Sequence, residues 1–230
     1  MINSHLPYYA PFLEGSDLVL WLNLDPDYRT TATTVNDWKN YKKVSDVFSQ
    51  SNASRRPTDN GTHITFDGGD NLACNVDRVL DVSATGWTVC SRYTETDWTS
   101  NSTLASDNDT NNSFIKNVGN SISVKATGTS GTQTKVINFD APTNLVDSQI
   151  YNIAVTCTTA GLLTVYIDGV AQADTATFGD DTYDITMSEV GGKNGNSWMM
   201  VGDIQEIIVY HRPLSQANIT DLNTYLNNKF

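Results

Sequence analysis

Three histidines, His5, His63 and His211, and three cysteines, Cys74, Cys90 and Cys157, are the side chains of this chain best suited to bind a metal or attack a substrate. Their spacing supports neither chemistry. There is no His-x-x-x-His pair, no Cys-x-x-Cys pair and no histidine in a nucleophile elbow. His63 opens an apolar run and His211 precedes Arg212-Pro213, so solvated or capping roles are expected of both. Three cysteines cannot all pair internally; buried free thiols are the expectation, with a Cys90–Cys157 bridge as the alternative. No glycine-rich phosphate loop precedes a helix.

Composition narrows the class further. At 230 residues, 39% hydrophobic and 17% charged, the chain suits one all-β domain with a full core between two sheets. With 14 basic against 26 acidic residues and a net charge of −12, a nucleic-acid groove is excluded, because phosphate binding needs clustered Lys and Arg. No apolar stretch reaches the roughly 20 residues needed to cross a bilayer. Residues 1–15 lack the basic start and apolar core of a secretory signal, so a chain soluble as made, or expressed without its leader, is expected.

The elements that must position any site read as strands and turns. Residues 1–16 form an extended arm whose Tyr8, Tyr9 and Phe12 either pack along the domain's own sheet or dock into a partner. Leu18 to Leu24 is a buried strand; Asp25 to Asn36 is polar and irregular, Val35-Asn36-Asp37-Trp38 resumes order, and another polar stretch runs to Asn60. Ile64 to Phe66 is a short strand stopped by Asp67-Gly68-Gly69-Asp70. Trp87, Val89, Ser91 and Tyr93 alternate with smaller or polar residues along another strand. Polar tracts at Thr94–Asn112 and Ala126–Thr134 read as loops around short strands at Phe114-Ile115 and Ile122–Val124. Tyr151–Cys157 and Leu163–Ile167 form an antiparallel hairpin, and Ile204–Tyr210 is the final strand. Ser215 then caps a helix with Ile219, Leu222 and Leu226 on one stripe, expected to cover one end of the fold.

Several of these pieces recur in a known order: Val19-Leu20-Trp21-Leu22, the Trp38 region, Arg56-Pro57-Thr58, Ile64-Thr65-Phe66-Asp67-Gly68, Tyr166-Ile167-Asp168-Gly169, and Gly202-Asp203-Ile204 through Leu214-Ser215. From about Asp17 to Phe230 the chain resembles the concanavalin A-like lectin and glucanase superfamily, in particular the laminin-G-like domains common in bacterial surface and phage proteins. The resemblance implies an all-β, two-sheet antiparallel jelly-roll sandwich over residues 17–230 with a short C-terminal helix.

It also implies what to look for. Glucanases of this fold use Glu-x-Asp-x-x-Glu; here Asp203-Ile204-Gln205-Glu206 lacks the first Glu, and in a regular strand a spacing of three sends its acids to opposite faces. A non-catalytic module is therefore expected, with no cofactor required. Lectin-type sugar contact falls to aromatic, amide and carboxylate groups of the loops: Trp98, Asp107, Asn108, Asn111, Asn194 and Asn196, with Trp198 either beside them or packed inward. Calcium, held at the rim in many relatives, would use Asp67, Asp70, Asp107 and Asp109, although solvated acidic turns are the simpler reading. The expected setting is a virion surface, as a capsid decoration or tail-associated protein contacting host glycans. A free extracellular lectin is the alternative, a glycan hydrolase ranks below it, and homo-oligomer formation is compatible with either setting.

Overall fold

Leu18, Leu20 and Leu22 are buried in the computed structural model while Val19 and Trp21 between them are half-buried. That period of two recurs along strands that stack as two antiparallel sheets. The structure describes residues 17–31, 33–107, 114–128, 131–140, 145–179, 183–193 and 197–230.

In chain order the strands begin with β1 (Leu18–Leu22), β2 (Arg29–Thr31), β3 (Val35–Asn40), β4 (Lys43–Ser49), β5 (Thr58–Asp59) and β6 (Ile64–Asp67). Next come β7 (Leu72–Leu80), β8 (Trp87–Glu95), β9 (Ser102–Ser106), β10 (Phe114–Asn117), β11 (Ser121–Gly128) and β12 (Gly131–Asn138). The last are β13 (Tyr151–Cys157), β14 (Leu162–Ile167), β15 (Val170–Thr177), β16 (Tyr183–Val190) and β17 (Val201–Tyr210), followed by helix α1 (Gln216–Lys229).

One sheet has the order β15-β14-β13-β8-β17-β6-β5, with β1 also paired to β17. The other runs β12-β11-β10-β9-β16-β7-β4-β3-β2. Trp38, Phe48, Phe66, Leu72, Trp87 and Ile185 are among the side chains filling the space between them. Side chains stitch the sheet edges together: Asp174 of β15 accepts from the Asn138 backbone and amide of β12, both at 2.8 Å. At the opposite edge Arg29 and Asp59 pair at 2.6 Å. Such ties shield edges that would otherwise recruit further strands.

The hairpin from β14 to β15 turns at Asp168 (φ 49°) and Gly169 (φ 82°), the two left-handed positions that an Asp-Gly turn supplies at little cost. Asp168 Oδ1 also accepts from the Asn152 amide at 2.9 Å.

Three expectations need correction, and one alternative, the Cys90–Cys157 bridge, falls while the expected buried free thiols stand. Helix α1 lies flat on the outer face of the eight-stranded sheet, where Ile219, Leu222, Tyr225 and Leu226 pack on Cys90, Ala154, Tyr166, Ile208 and Tyr210. It therefore does not cover an end. Cys90 belongs to that outer layer and Cys157 to the inter-sheet core, so the two thiols face opposite sides of one sheet and no bridge joins them. The described residues of the Ala126–Thr134 tract belong to strands β11 and β12, paired from Ser121↔Asn138 to Gly128↔Gly131. Its Thr residues suit a pleated surface with one wet face, a context that polarity alone does not reveal. The ordered run at Val35–Trp38 is β3, and the polar stretches on either side of it hold β2, β4 and β5, organised by the buried Trp38 and Phe48. The N-terminal arm, with Tyr8, Tyr9 and Phe12, lies outside the described residues.

Candidate functional site

Strand β9 lies between β10 and β16 in the nine-stranded sheet, so the chain leaving β16 runs alongside the start of β9. The path depends on Gly191. It has φ 79°, and a Cβ there would stand 2.2 Å from Phe66 Cε1, a position open only to glycine. Gly191 N donates to Leu104 O at 3.1 Å, and Met200 N returns to Gly191 O at 2.9 Å. Lys193 and Ser197 exchange two backbone hydrogen bonds of 3.0 Å, closing a small loop. Thr103 N donates to Trp198 O at 2.9 Å and fixes the loop's exit on β9.

These bonds hold Trp198 at φ 48°, a backbone conformation that bulky residues rarely adopt. Trp198 as a whole is 36% exposed. Ile115 and Asn117 on either side of Lys116 turn into the interior, so Lys116 projects from the outer face. Its Nζ lies 3.4 Å from the Trp198 ring centroid, and Lys193 Nζ lies 3.6 Å from the same centroid. Both lysines are enclosed, with exposures of 8% and 5%. Burial lowers the pKa of each; Lys125 and Lys116 push Lys193 further down, and Asp107 opposes them. Lys116 also donates to Asn101 Oδ1 at 3.4 Å. Beneath the loop, Ser106 Oγ donates to Gly192 O at 2.8 Å, and Asn71 Nδ2 donates to the buried Glu189 Oε1 at 2.9 Å. Two ammonium groups against one indole form a cation–π cluster that is aromatic and donor-rich together.

The sugar-contact residues expected from sequence are only partly brought here. Trp98 is not part of the site: it is 1% exposed, with its ring 5.3 Å from Tyr93 and 5.6 Å from Tyr151, and it offers no face to a ligand. The exposed indole is Trp198. The local signal for it is the loop chemistry of Gly191-Gly192 and Asn194-Gly195-Asn196, whereas Trp98, like Leu104, is a large apolar side chain in a polar tract and is drawn inward. Asp107 is buried near Lys193. Asn108, Asp109, Asn111, Asn194 and Asn196 lie outside the described residues. Lys116 and Lys193 carry no sequence signal, since only strand pairing and loop closure bring them to one ring.

At Asp67 and Asp70 the carboxylates serve their own turn. Asp67 Oδ1 accepts from Gly69 N at 2.8 Å and Asp70 Oδ2 accepts from Asp67 N at 3.1 Å. Burial, reinforced by Asp67, raises the Asp70 pKa to about 6. Among the described residues no group of three or more His, Cys, Asp or Glu side chains gathers to hold a metal ion.

The Asp203–Glu206 pair departs from the strand rule. A bulge between Ile204 and Glu206 shifts the register, so Asp203 and Glu206 share the outer face of the eight-stranded sheet. Each is occupied. Asp203 accepts from Thr65 Oγ1 at 2.5 Å. Glu206 is fully enclosed and accepts from Trp21 Nε1, from Tyr225 OH at 3.3 Å and from Lys229 Nζ at 2.7 Å.

Known proteins match at two levels. Residues 66–220 fit the laminin-G-type family model described as the Concanavalin A-like lectin/glucanases superfamily. A comparison with curated proteins gives no significant match. Among solved structures, Trypanosoma rangeli sialidase is similar with a TM-score of 0.58 and 15% identity, over 94% of this chain and 34% of that one. A mutant of that sialidase displaying trans-sialidase activity gives 0.61 and 13%, over 92% and 33%. The botulinum neurotoxin serotype G binding domain gives 0.58 and 11%, over 91% and 51%. The chain thus spans a third to a half of these structures, and identities this low speak for the fold alone. The sandwich, its terminal helix and the match over residues 66–220 together establish that the chain belongs to the concanavalin A-like lectin/glucanases superfamily.

Proposed function

We propose that this chain is a non-catalytic binding module that takes saccharides on the outer face of its nine-stranded sheet, around Trp198. The observation that carries this reading is an exposed indole held at φ 48° with two enclosed ammonium groups against it. A bulky residue in the left-handed region costs on the order of 1–3 kcal/mol, and such strain collects at functional sites. A part-exposed indole with two ammonium groups over its ring puts aromatic surface and hydrogen-bond donors together, as the mixed apolar and hydroxyl surface of a sugar needs. Similar structures include a sialidase in complex with sialic acid and a neurotoxin receptor-binding domain, in keeping with a recognition role.

A binding role without catalysis is favoured by the state of the best acid pair. Glu206 is sealed beneath α1 and ion-paired, and Asp203 is tied to Thr65. No metal ligand is required of the residues around Trp198. As the setting we retain a virion surface, with the arm of residues 1–16 as anchor and an extracellular lectin as the alternative; copurification with virions decides between them.

The test is a saccharide array probed with the full chain and with Trp198→Ala. Saturable binding that survives chelator and disappears in the variant is expected. Failure to bind any saccharide overturns the proposal, and release of sugar from a β-glucan overturns its non-catalytic part.

A further inference from the structure

We infer that Asn60 is a site of spontaneous covalent modification. On the folded chain its side chain closes on the Gly61 nitrogen, and the succinimide so formed opens to aspartate or to β-linked isoaspartate.

Asn60 and Gly61 lie at the exposed tip of the hairpin that joins β5 to β6, where Thr58↔Thr65 and Asp59↔Ile64 are paired. Asn60 N donates to His63 O at 3.0 Å and closes the turn. Gly61 has φ 79°, and a Cβ built there would meet nothing within 4 Å, so the side of the turn that a side chain would fill is open.

A backbone amide is a poor nucleophile while it keeps its proton. Here Gly61 N–H donates to Asp59 Oδ1 at 2.7 Å, so a carboxylate sits on the proton that has to leave. The Asp59 side chain is only 9% exposed, and Arg29 Nη1 lies 2.6 Å from the same oxygen and holds that base in place. The amide under attack is held as well: Asn60 Nδ2 donates to Thr65 Oγ1 at 2.7 Å, and Thr65 donates onward to Asp203 Oδ1 at 2.5 Å. With both reacting groups fixed, less orientational freedom is lost on the way to ring closure.

Asp59 takes the Gly61 proton, the nitrogen bonds to Asn60 Cγ, and the Cγ–Nδ2 bond breaks as Nδ2 leaves with that proton as ammonia. One water then opens the ring. Attack at Cγ restores the ordinary backbone with an aspartate side chain; attack at the backbone carbonyl leaves the chain running through Cγ. The second product lengthens the main chain of the turn, and hairpin register depends on loop length. Strand β5 is two residues long and bridges the other sheet through Thr34↔Thr58, so the seam between the sheets loosens at this edge.

The experiment incubates the intact chain at neutral pH and physiological temperature, natively and in urea. Mass spectrometry follows the peptide that holds Asn60, and an isoaspartate-specific methyltransferase scores the β-linkage. Conversion of Asn60 in the native chain at least as fast as in urea is expected, with faster hydrogen exchange of residues 57–59 in the aged protein. Asp59→Asn is expected to slow Asn60 at least about tenfold, the low side of what a positioned base contributes, while the other Asn-Gly of the sequence, Asn194-Gly195, keeps its rate. Asn60→Gln, whose closure needs a larger ring, is expected to stay unmodified. A native rate below the urea rate overturns the inference, because the fold then protects Asn60. An unchanged rate in Asp59→Asn overturns the role of the carboxylate. The comparison with urea needs no variant, so misfolding cannot mask the answer.

Discussion

The Nζ of Lys229, in the last turn of α1, lies 2.7 Å from Glu206 Oε2 on β17, and the carboxylate it holds is wholly shut off from solvent. Trp21 and Tyr225 donate to the other oxygen of the same carboxylate. Burial pushes the Glu206 pKa upward and Lys229 is the strongest influence against it. The pair thereby fastens the helix to the sheet through a direct ion pair.

Lys229→Met strands that carboxylate, so a loss of about 3–5 kcal/mol is expected, the usual consequence of breaking a buried pair from one side. The double variant Glu206→Gln with Lys229→Met is expected to recover part of the loss. Urea unfolding of the wild type, both single variants and the double variant forms the cycle; a stability loss below about 1 kcal/mol for Lys229→Met would contradict it.

Glu95 makes stability depend on pH. It is 1% exposed between the sheets and accepts from Ser102 Oγ at 2.5 Å and Asn117 Nδ2 at 2.9 Å. Burial outweighs these bonds and raises its pKa from 4.5 to about 8. The folded state therefore binds more protons than the unfolded one between those values, and the contribution of Glu95 is full below about pH 4.5 and lost as pH rises through about 8. The slope approaches about 1.4 kcal/mol per pH unit. Glu95→Gln, which mimics the protonated acid, is expected to flatten it, as read by urea midpoints at both ends of that window.

The two tryptophans are expected to separate stability from binding. Trp98→Ala removes a core ring packed on Tyr93 and Tyr151 and is expected to cost about 3–5 kcal/mol. Trp198→Ala, at an exposed loop, is expected to stay within about 1 kcal/mol of wild type and to abolish saccharide binding. Thermal unfolding and the array measure the two effects. The reverse pattern would contradict the placement of both rings.

All three cysteines are expected to be inert in the folded chain. Burial raises Cys74, takes Cys157 to about 12 and lifts Cys90 furthest. Thiolate is the reactive species, so a thiol reagent is expected to label none of the three until denaturant is added, and then all three. Two unreactive sulfurs after unfolding without reductant would reveal a bridge.

Strands with one apolar face were legible in the sequence because strand periodicity is local. Leu18 to Leu22, Trp87 to Tyr93 and the Tyr151–Ile167 hairpin announce their buried faces residue by residue. Helix α1 was equally plain, since Ser215 accepts from Asn218 N at 3.3 Å as an N-cap should. Strands wetted on one or both sides, such as β12 and β15, were harder to see because their pairing partners supply the order.

The sequence by itself determined the sandwich, the terminal helix, the net acidity, and the Asp168-Gly169 turn. Only the tertiary structure decided which tryptophan is buried, that a bulge brings Asp203 and Glu206 to one face, and that Lys116 and Lys193 meet on one indole. The physical reason is range. Alternation and turn chemistry act over a few neighbouring residues, whereas the Trp198 cluster joins side chains 82 positions apart from Lys116. Their approach is settled by strand register, a one-residue bulge and a glycine that alone fits against Phe66.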